Sequence, residues 1–590
     1  MKETSTRRRG IYEIGQDAAS ERSRSTREFL VKVWQLVKPY LRSAERRWAY
    51  AVLAVIVAFT LGTVAVSAAI TYWYKNFYNA LQSYNGPLIW HEVLVFAGLA
   101  TIWVAINVLS QYFSQVFQNR WRRWLTTRFV HGWMRRDTYY RMQVGGSKVD
   151  NPDQRIVDDL EFFTAQALQL PLGLVNAVAS IVVFGMVLWS LSEPLKIFGT
   201  HVPGYLVWVN VGYALIGTLA VIYIGKPLFW LNNIYQRAQG DFRFSLVRVR
   251  EHGESIATSH GAKATARDLV ARFKPVFDIF HKRIRRNIGV NAFSFSFNQA
   301  AVLIPVVAVL PAYLNHEIKL GGIMAILSAF GSIQQAFAYL VDNFTSNGNG
   351  YLSLTQWIAV TDRLDQFQGE GERFRPTPAD TLKVVRSPQA VIRLQDVSIT
   401  LPDTRVLLDH LSLDITAGER LLVTGPAGVG KSTLLRVLAG IWPYGAGRVA
   451  LPDASVCFIP QRAYLPEARL CDAIAYPGRP VARPELEHWL AFCGLARLCH
   501  QLDEYAAWDK RLSLGELQRI AFVRLFITEA RWNLLDEITS SLDEDTEARL
   551  YAELVTRHPE ATIVSIAHRS TLRRFHTREL HLTSGGTATL

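Results

Sequence analysis

Six long apolar stretches constrain this chain more than anything else in it. They lie near residues 49–72, 93–116, 172–192, 204–224, 295–314 and 321–341. Roughly 20 mostly apolar residues make a helix long enough to cross a bilayer. Lipid offers the backbone no hydrogen-bond partner, so each stretch must close its bonds internally as a helix. The expected fold therefore begins with a polytopic α-helical membrane domain of six transmembrane helices. Only "NHEIKL" joins the last two stretches, which must form a tight helical hairpin. The first runs on into "TYWYKNFY", aromatic and interfacial in character, so its outer end is the least defined.

Charge sets the orientation. The short connections carry little positive charge: Lys75, Lys196 and Lys319. Basic residues gather instead before the first stretch (Arg7, Arg8, Arg9, Arg22, Arg24, Arg27, Arg46, Arg47) and in the two long connections, around 120–155 and 226–286. The positive-inside rule places these segments, and both termini, on the cytoplasmic side. The setting this predicts is an integral, multi-pass protein of the bacterial inner membrane. The same distribution accounts for the net charge of +14. No aromatic–basic module accompanies it, which argues against a nucleic-acid partner. Residues 1–30 are charged and lack an apolar core, reading as a flexible basic cytosolic tail rather than a cleavable signal. Cys457, Cys471, Cys493 and Cys499 match no zinc or disulfide spacing and read as reduced cytosolic thiols.

The two long connections are too polar for lipid, yet "RWRRWLTTRFVHGWMRRDTYYRM" and "DFRFSLVRVREHGESIA" repeat apolar residues three and four apart. That spacing predicts helices projecting beyond the bilayer, within a membrane domain placed at 31–368. After a further helix, "LTQWIAVTDRLDQF", the polar run with Gly369, Gly371, Pro376 and Pro378 marks a linker at 369–384. From 385 to 590, short β-rich runs alternate with helices, the pattern of an α/β nucleotide-binding domain.

Its chemistry is concentrated in two places. "GPAGVGKST" comprises Gly425, Pro426, Ala427, Gly428, Val429, Gly430, Lys431, Ser432 and Thr433. It follows a strand-like "RLLVT" and opens a helix, so backbone N–H groups would close around phosphates at a helix N-terminus. Lys431 adds a point charge there, and the Ser432 hydroxyl can ligate Mg²⁺. About a hundred residues on, "WNLLDE" ends a strand in Asp536, suited to holding Mg²⁺ through water, and Glu537, suited to polarising an attacking water. Asn533 is an amide in a strand that should be apolar, and its side chain must find a partner.

In order with "FIPQ", "LSLGE", "SLD" and "IAH", these motifs make the domain resemble the nucleotide-binding domain of ABC transporters. That resemblance implies ATP and Mg²⁺ as cofactors. It implies that Gln461 senses Mg²⁺, so the expected metal set is Ser432, Gln461 and Asp536. Ser513 and Gly515 are implied to close on the γ-phosphate of ATP held by a partner subunit. Asp543 is the implied D-loop aspartate, and Glu537 and His568 the implied catalytic pair. Two departures stand out. The aromatic that often stacks on adenine is replaced by Leu401 or Pro402, and the signature reads Ser-Leu-Gly-Glu, with Leu514 and Glu516 unusual.

Six spans before one such domain form a half-transporter of the exporter-like (type IV) ABC fold, so a homodimer is the simplest assembly. "GIWPYGAGRVALP", "DNPDQRIVDDLEFF" and "LSLGELQR" resemble the bacterial BacA/SbmA-like and YddA-like ABC transporters, and more distantly the acyl-CoA transporters of subfamily D. The resemblance implies inward movement of bulky hydrophilic solutes or peptides: cobalamin-like, bleomycin-like or antimicrobial. The alternatives are export of lipid or acyl-CoA, and an ATP-gated channel or membrane regulator. Polar residues within the spans, among them Gln111, Gln115, Asn298, Gln299, Gln334 and Gln335, should face a cavity or another helix. Asp153, Arg155 and Glu251 lie where coupling to the ATPase domain is expected.

Overall fold

The computed structural model describes residues 26–589 except 148, 150, 193–194, 198–199, 345–353, 375–381, 455, 529, 568 and 584–586. Almost all of the N-terminal tail expected at 1–30, and His568, thus lie outside the described residues. The chain divides into two compact units, one of residues 1–132 and 149–369, the other of residues 133–148 and 370–590.

The first unit is helical. α1 (Thr26–Leu41) leads into α2 (Arg46–Gln82) and α3 (Gly86–Met134); α5 (Leu160–Leu191), α6 (Tyr205–Glu251), α7 (Ala262–Leu314), α8 (Leu320–Phe344) and α9 (Leu354–Arg373) follow the short helix α4 (Thr138–Val144). Among the described residues, five helical stretches are long and apolar enough to cross a membrane, and Tyr205–Val221 is a shorter apolar one at the start of α6. Each of the six expected spans falls within one of α2, α3 and α5–α8. The interfacial run after the first span stays helical to Gln82, and Trp73 in it donates its indole N–H to the Glu92 carbonyl across the α2–α3 turn (2.7 Å). The projections beyond the expected spans are helical as the spacing predicts: α3 continues to Met134 and α6 to Glu251.

The α7–α8 hairpin is held from outside. Its second helix starts with backbone N–H groups that have no partner within the helix, as every α-helix does. Gln82 Oε1 accepts from Leu320 N (3.0 Å) and Asn79 Oδ1 from Gly321 N (3.1 Å), so the end of α2 caps α8. Small residues let α8 approach its neighbours: Ala325 and Ala329 are fully buried. A Cβ on Gly173 of α5 would lie 2.2 Å from the Tyr339 ring, whose hydroxyl donates to the Leu170 carbonyl (2.9 Å).

Around α9 the unit is fixed by charge and by aromatic packing. Asp159 ends a π-helical turn, Arg155–Asp159, just before α5. Its buried carboxylate accepts from Arg363 Nε (2.8 Å) and Nη2 (2.5 Å) on α9 and from Arg155 Nη1 (3.0 Å). On the other side Lys32 of α1 donates to Asp362 (2.6 Å), and the Trp357 ring packs against Phe29 and Phe163. α9 runs through Gly369 and Gly371, where the sequence suggested a linker. A Glu370–Arg373 pair (3.2 Å) and the Phe374 N–H to Glu370 O bond (3.0 Å) offset the weak helix propensity of those glycines. Of the two coupling candidates on the first long connection, Arg155 is thus tied to Asp159, and Asp153 opens the short helix Pro152–Gln154. Glu251 ends α6 and is exposed.

The second unit is α/β. Four strands, β1 (Lys383–Ser387), β2 (Val391–Thr400), β3 (Val406–Thr416) and β5 (Gly445–Pro452), form a sheet in the order β1-β5-β2-β3, antiparallel except for β1–β5. The other sheet contains β4 (Arg420–Thr424), β6 (Val456–Ile459), β7 (Trp532–Asp536), β8 (Thr562–Ile566), β9 (Arg578–Leu582) and β10 (Ala588–Thr589) in the order β10-β9-β4-β8-β7-β6. Its central strands are parallel, and β7 and β8 are buried at every residue, as expected of strands covered on both faces. α4 belongs to this unit although it comes from the first long connection between spans. Val144 packs against the core beneath Tyr444, and Ser147 donates to Glu370 (3.1 Å). A side chain on Gly145 would strike Phe374 and Tyr444, both at 2.3 Å.

Candidate nucleotide site

β4 is apolar and buried in its three middle residues, and it delivers the chain to the loop at the C-terminal edge of the parallel strands, where open α/β sheets place ligands. The loop needs its glycines. Gly425 (φ 140°), Gly428 (φ 79°) and Gly430 (φ 104°) all have positive φ, and a Cβ on Gly425 would meet the Leu582 carbonyl oxygen at 2.4 Å. α10 (Lys431–Leu438) begins immediately, with Gly430 as its N-cap and no side-chain cap. Pro426, Ala427 and Val429 complete the loop, and Thr433 sits buried in the first turn of α10. The Lys431 ammonium folds back over the loop and donates to Gly425 O (2.8 Å) and Pro426 O (2.9 Å). Burial lowers its pKa, while Glu537 and Asp536 pull it back up.

Four further side chains converge beside it. Ser432 Oγ donates to Asp536 Oδ1 at 2.9 Å. Burial raises the Asp536 pKa; the Ser432 hydrogen bond opposes that, and the charge of Glu537 reinforces it. Glu537 leaves the strand in a left-handed conformation (φ 50°), which turns its carboxylate out of the line of β7. Its backbone N–H donates to Ile566 O (3.2 Å) and Gln461 Nε2 donates to its Oε2 (3.1 Å). So Lys431, Ser432, Gln461, Asp536 and Glu537 form one neighbourhood across three loop ends. A hydroxyl, a carboxylate and an amide are hard oxygen donors of the kind Mg²⁺ takes when substrate phosphates supply the rest of its shell. Among the described residues no cluster of three His, Cys, Asp or Glu side chains fits a metal.

Ser513, Gly515 and Asp543 occupy a second neighbourhood. Ser513 is the N-cap of α11 (Leu514–Ile527), and Asp543 is the N-cap of α12 (Glu544–Arg557), accepting from Thr546 N (2.8 Å). That bond, made to the ionised form, holds the Asp543 carboxyl below the usual range. Gly515 lies against the loop before α12: a Cβ there would stand 3.5 Å from Ser541 O. The unusual glutamate of the signature has a structural role. It closes a capping box in which Ser513 N and Oγ both donate to Glu516 Oε2 (2.9 Å each) and Glu516 N donates to Ser513 Oγ (3.4 Å). Burial would raise its pKa, but hydrogen bonds from Arg497 and Ser513 bring it down to about 2. A carboxyl depressed in the folded state contributes its stability above the ordinary carboxylate pKa and loses it only as pH falls toward that low value. The box is therefore intact at neutral pH.

Two residues that the sequence reading passed over join these neighbourhoods. Gln518, buried on α11, donates to Ser540 Oγ (2.8 Å) and Glu537 O (3.5 Å) and accepts from Ser541 N (2.9 Å). Arg524, also buried, donates to the carbonyls of Tyr464, Ala473 and Ile474 (3.0–3.2 Å), just beyond Gln461. Both are polar residues at core positions of a helix, and that was the available signal. Gln518→Ala should leave the Ser541 N–H unpaired, which costs about 1–3 kcal/mol. The expected outcome is a lower thermal midpoint together with slower ATP hydrolysis; loss of neither would show that the amide positions nothing.

Asn533 finds half of its hydrogen bonding, donating to Ala530 O (3.1 Å), while its Oδ1 has no hydrogen-bond partner. At the place expected for an adenine-stacking ring, Leu401 and Pro402 form a tight turn instead, closed by Leu401 N to Arg405 O and Thr404 N to Leu401 O (2.9 Å each). Leu401 packs inward against the core.

With this geometry in hand, comparison with known proteins gives a consistent result. Residues 36–314 match the family model described as ABC transporter transmembrane region 2, and residues 408–540 the model described as ABC transporter. An uncharacterized ABC transporter ATP-binding protein of Haemophilus influenzae is 32% identical over 90% of this chain and 88% of its own length. The inner membrane ABC transporter ATP-binding protein YddA of Escherichia coli is 29% identical over 92% and 95%. The human lysosomal cobalamin transporter ABCD4 is 28% identical over 83% and 84%. In fold, the chain is similar to a bacterial Atm1-family ABC exporter solved with ATP bound, with a TM-score of 0.69 at 17% identity over 92% of this chain and 94% of the other.

Proposed function

This chain belongs to the ABC transporter family as an ATP-hydrolysing membrane transporter with one membrane region and one ATPase domain, and from that premise we propose that two copies import bulky hydrophilic solutes or peptides. The observation that carries the ATP-driven part is the hydrogen-bonded set Lys431, Ser432, Asp536, Gln461 and Glu537. In this reading the loop N–H groups and Lys431 hold the triphosphate. Ser432 and Asp536, with Gln461, would hold Mg²⁺, which would supply positive charge to offset that of the triphosphate. Glu537 takes the proton of the attacking water, held in place by Gln461 from one side and through its backbone by Gln518 from the other. Ser513 and Gly515 meet the nucleotide of the partner copy, and Asp543 completes that interface; His568, which lies outside the described residues, keeps the catalytic role that the sequence resemblance gives it beside Glu537. A channel or regulator would have no need of the Glu537 arrangement.

Support for a homodimer comes from α7. Val270, Phe273, Phe277, Ile284 and Ile288 are exposed at helical spacing along its cytoplasmic projection, a stripe that water alone would not favour. Support for hydrophilic cargo comes from amides on apolar helices: Gln111, Gln115, Asn298, Gln299 and Gln335 are exposed in the single chain. Gln334 is instead used structurally, donating to the buried Asn210 (3.0 Å). A lining of neutral amides suits varied polar cargo and suits acyl chains poorly. The cobalamin named for the human relative is cargo of that chemical class, and the inner membrane named for the E. coli relative supports the same location here.

The test is ATP hydrolysis by the purified protein in lipid discs, with cobalamin, peptides and acyl-CoAs added in turn. Stimulation by a hydrophilic cargo is the expected result. Stimulation by acyl-CoA alone would overturn the import reading in favour of lipid export.

A further inference from the structure

Glu516 brings a full negative charge to the first turn of α11, where a phosphate is to be received. Its Oε2 is taken by Ser513, which donates both its backbone N–H and its hydroxyl (2.9 Å each). Its Oε1 accepts from Arg497 Nη2, on the 3-10 turn Ala496–Gln501. Arg497 lies outside every nucleotide motif in the sequence. Its side chain is 60% exposed, whereas that of Glu516 is 14% exposed. The guanidinium thus reaches in from the surface to a carboxylate that, among the described residues, is otherwise engaged by Ser513 alone.

We propose that Arg497 is a positioning residue for ATP hydrolysis, neutralising Glu516 so that the Ser513 hydroxyl is free to turn to the γ-phosphate. The inference rests on the reading that Ser513 meets the nucleotide of the partner copy. Two physical effects carry it. An uncompensated carboxylate three residues from Ser513 repels an approaching triphosphate. It also competes with that phosphate for the one hydroxyl proton Ser513 can donate. A cation on the far oxygen weakens both effects by drawing charge away from Oε2. A carboxamide at 516 would keep the capping box, since glutamine serves at this position as well as glutamate. Arg497 therefore matters only while position 516 is charged.

That dependence gives the experiment. The full-length protein in lipid discs is assayed for hydrolysis against ATP concentration as wild type, Arg497→Ala, Arg497→Lys, Glu516→Gln and Arg497→Ala/Glu516→Gln, with Glu537→Gln as control. Arg497→Ala should raise KM for ATP about fivefold, the range of a solvent-screened charge-assisted hydrogen bond, with kcat nearly unchanged. Arg497→Lys should retain most of the wild-type affinity. The double variant should return to the KM of Glu516→Gln alone, a rescue that a merely structural role would not produce. An unchanged KM in Arg497→Ala, or a double variant whose defects add, overturns the inference. If Glu537→Gln hydrolyses ATP like wild type, the catalytic reading of Glu537 fails while the KM comparison of the Arg497 series still decides this inference; if only the Arg497 series fails, that reading stands.

Discussion

Replacing Glu537 by glutamine should leave ATP bound and lower its hydrolysis by about 10²–10⁴-fold, the usual contribution of a positioned general base. The substitution is nearly isosteric, and the backbone keeps its bonds from Glu537 N to Ile566 O and from Gln518 to Glu537 O. What changes is the acceptor that Gln461 now meets at 3.1 Å. An amide there has no useful basicity, so binding and turnover separate. The measurement is nucleotide binding alongside phosphate release in lipid discs. Turnover within a few-fold of wild type would remove Glu537 from the catalytic role.

Replacing Asp159 by alanine should destabilise the membrane unit by about 2–3 kcal/mol. Removing one partner of a buried ion pair costs more than that, but the exposure of Arg363 moderates the loss. The Asp159 side chain is only 5% exposed, while those of Arg155 and Arg363 are 17% and 37% exposed. The variant leaves two guanidinium groups facing one another without the carboxylate that both address. Thermal unfolding in lipid discs should show a clearly lowered midpoint, and Arg363→Leu in the same chain should restore part of it. An unchanged midpoint would mean that α9 is held by Lys32 and Trp357 without the carboxylate.

Much of this was legible because the signals are local and strongly periodic. Six apolar stretches of spanning length announce helices whatever surrounds them, and the phosphate loop carries its own turn chemistry in Gly425, Gly428 and Gly430. The helical projections beyond the spans were readable from apolar residues at helical spacing. What was not readable depended on neighbours distant in sequence. Gln518 and Arg524 look like ordinary polar residues of a helix until the chain places the Glu537 and Tyr464 carbonyls beside them. Glu516 read only as an unusual residue of the signature, and it is the backbone of Ser513 that shows it closing a capping box. Gly369 and Gly371 suggested a linker because glycine usually interrupts helices, yet α9 continues through them with help from Glu370 and Arg373. Asn533 remains half-satisfied, and nothing in the structure explains its carbonyl oxygen.

The inclusion of α4 in the ATPase unit has a consequence for how the protein is made. The segment 133–148 leaves the ribosome more than two hundred residues before the strands it packs on. Gly145, against which Tyr444 and Phe374 pack, thus comes from a segment made long before either ring. An ATPase segment expressed from residue 385 onward would lack both α4 and Phe374 and would leave Tyr444 and the core that Val144 covers exposed to water, favouring self-association. Addition of a peptide spanning 133–148 in trans should relieve this. An ATPase unit assembled from both pieces of chain, 133–148 and 370–590, is accordingly the form expected to stay unassociated.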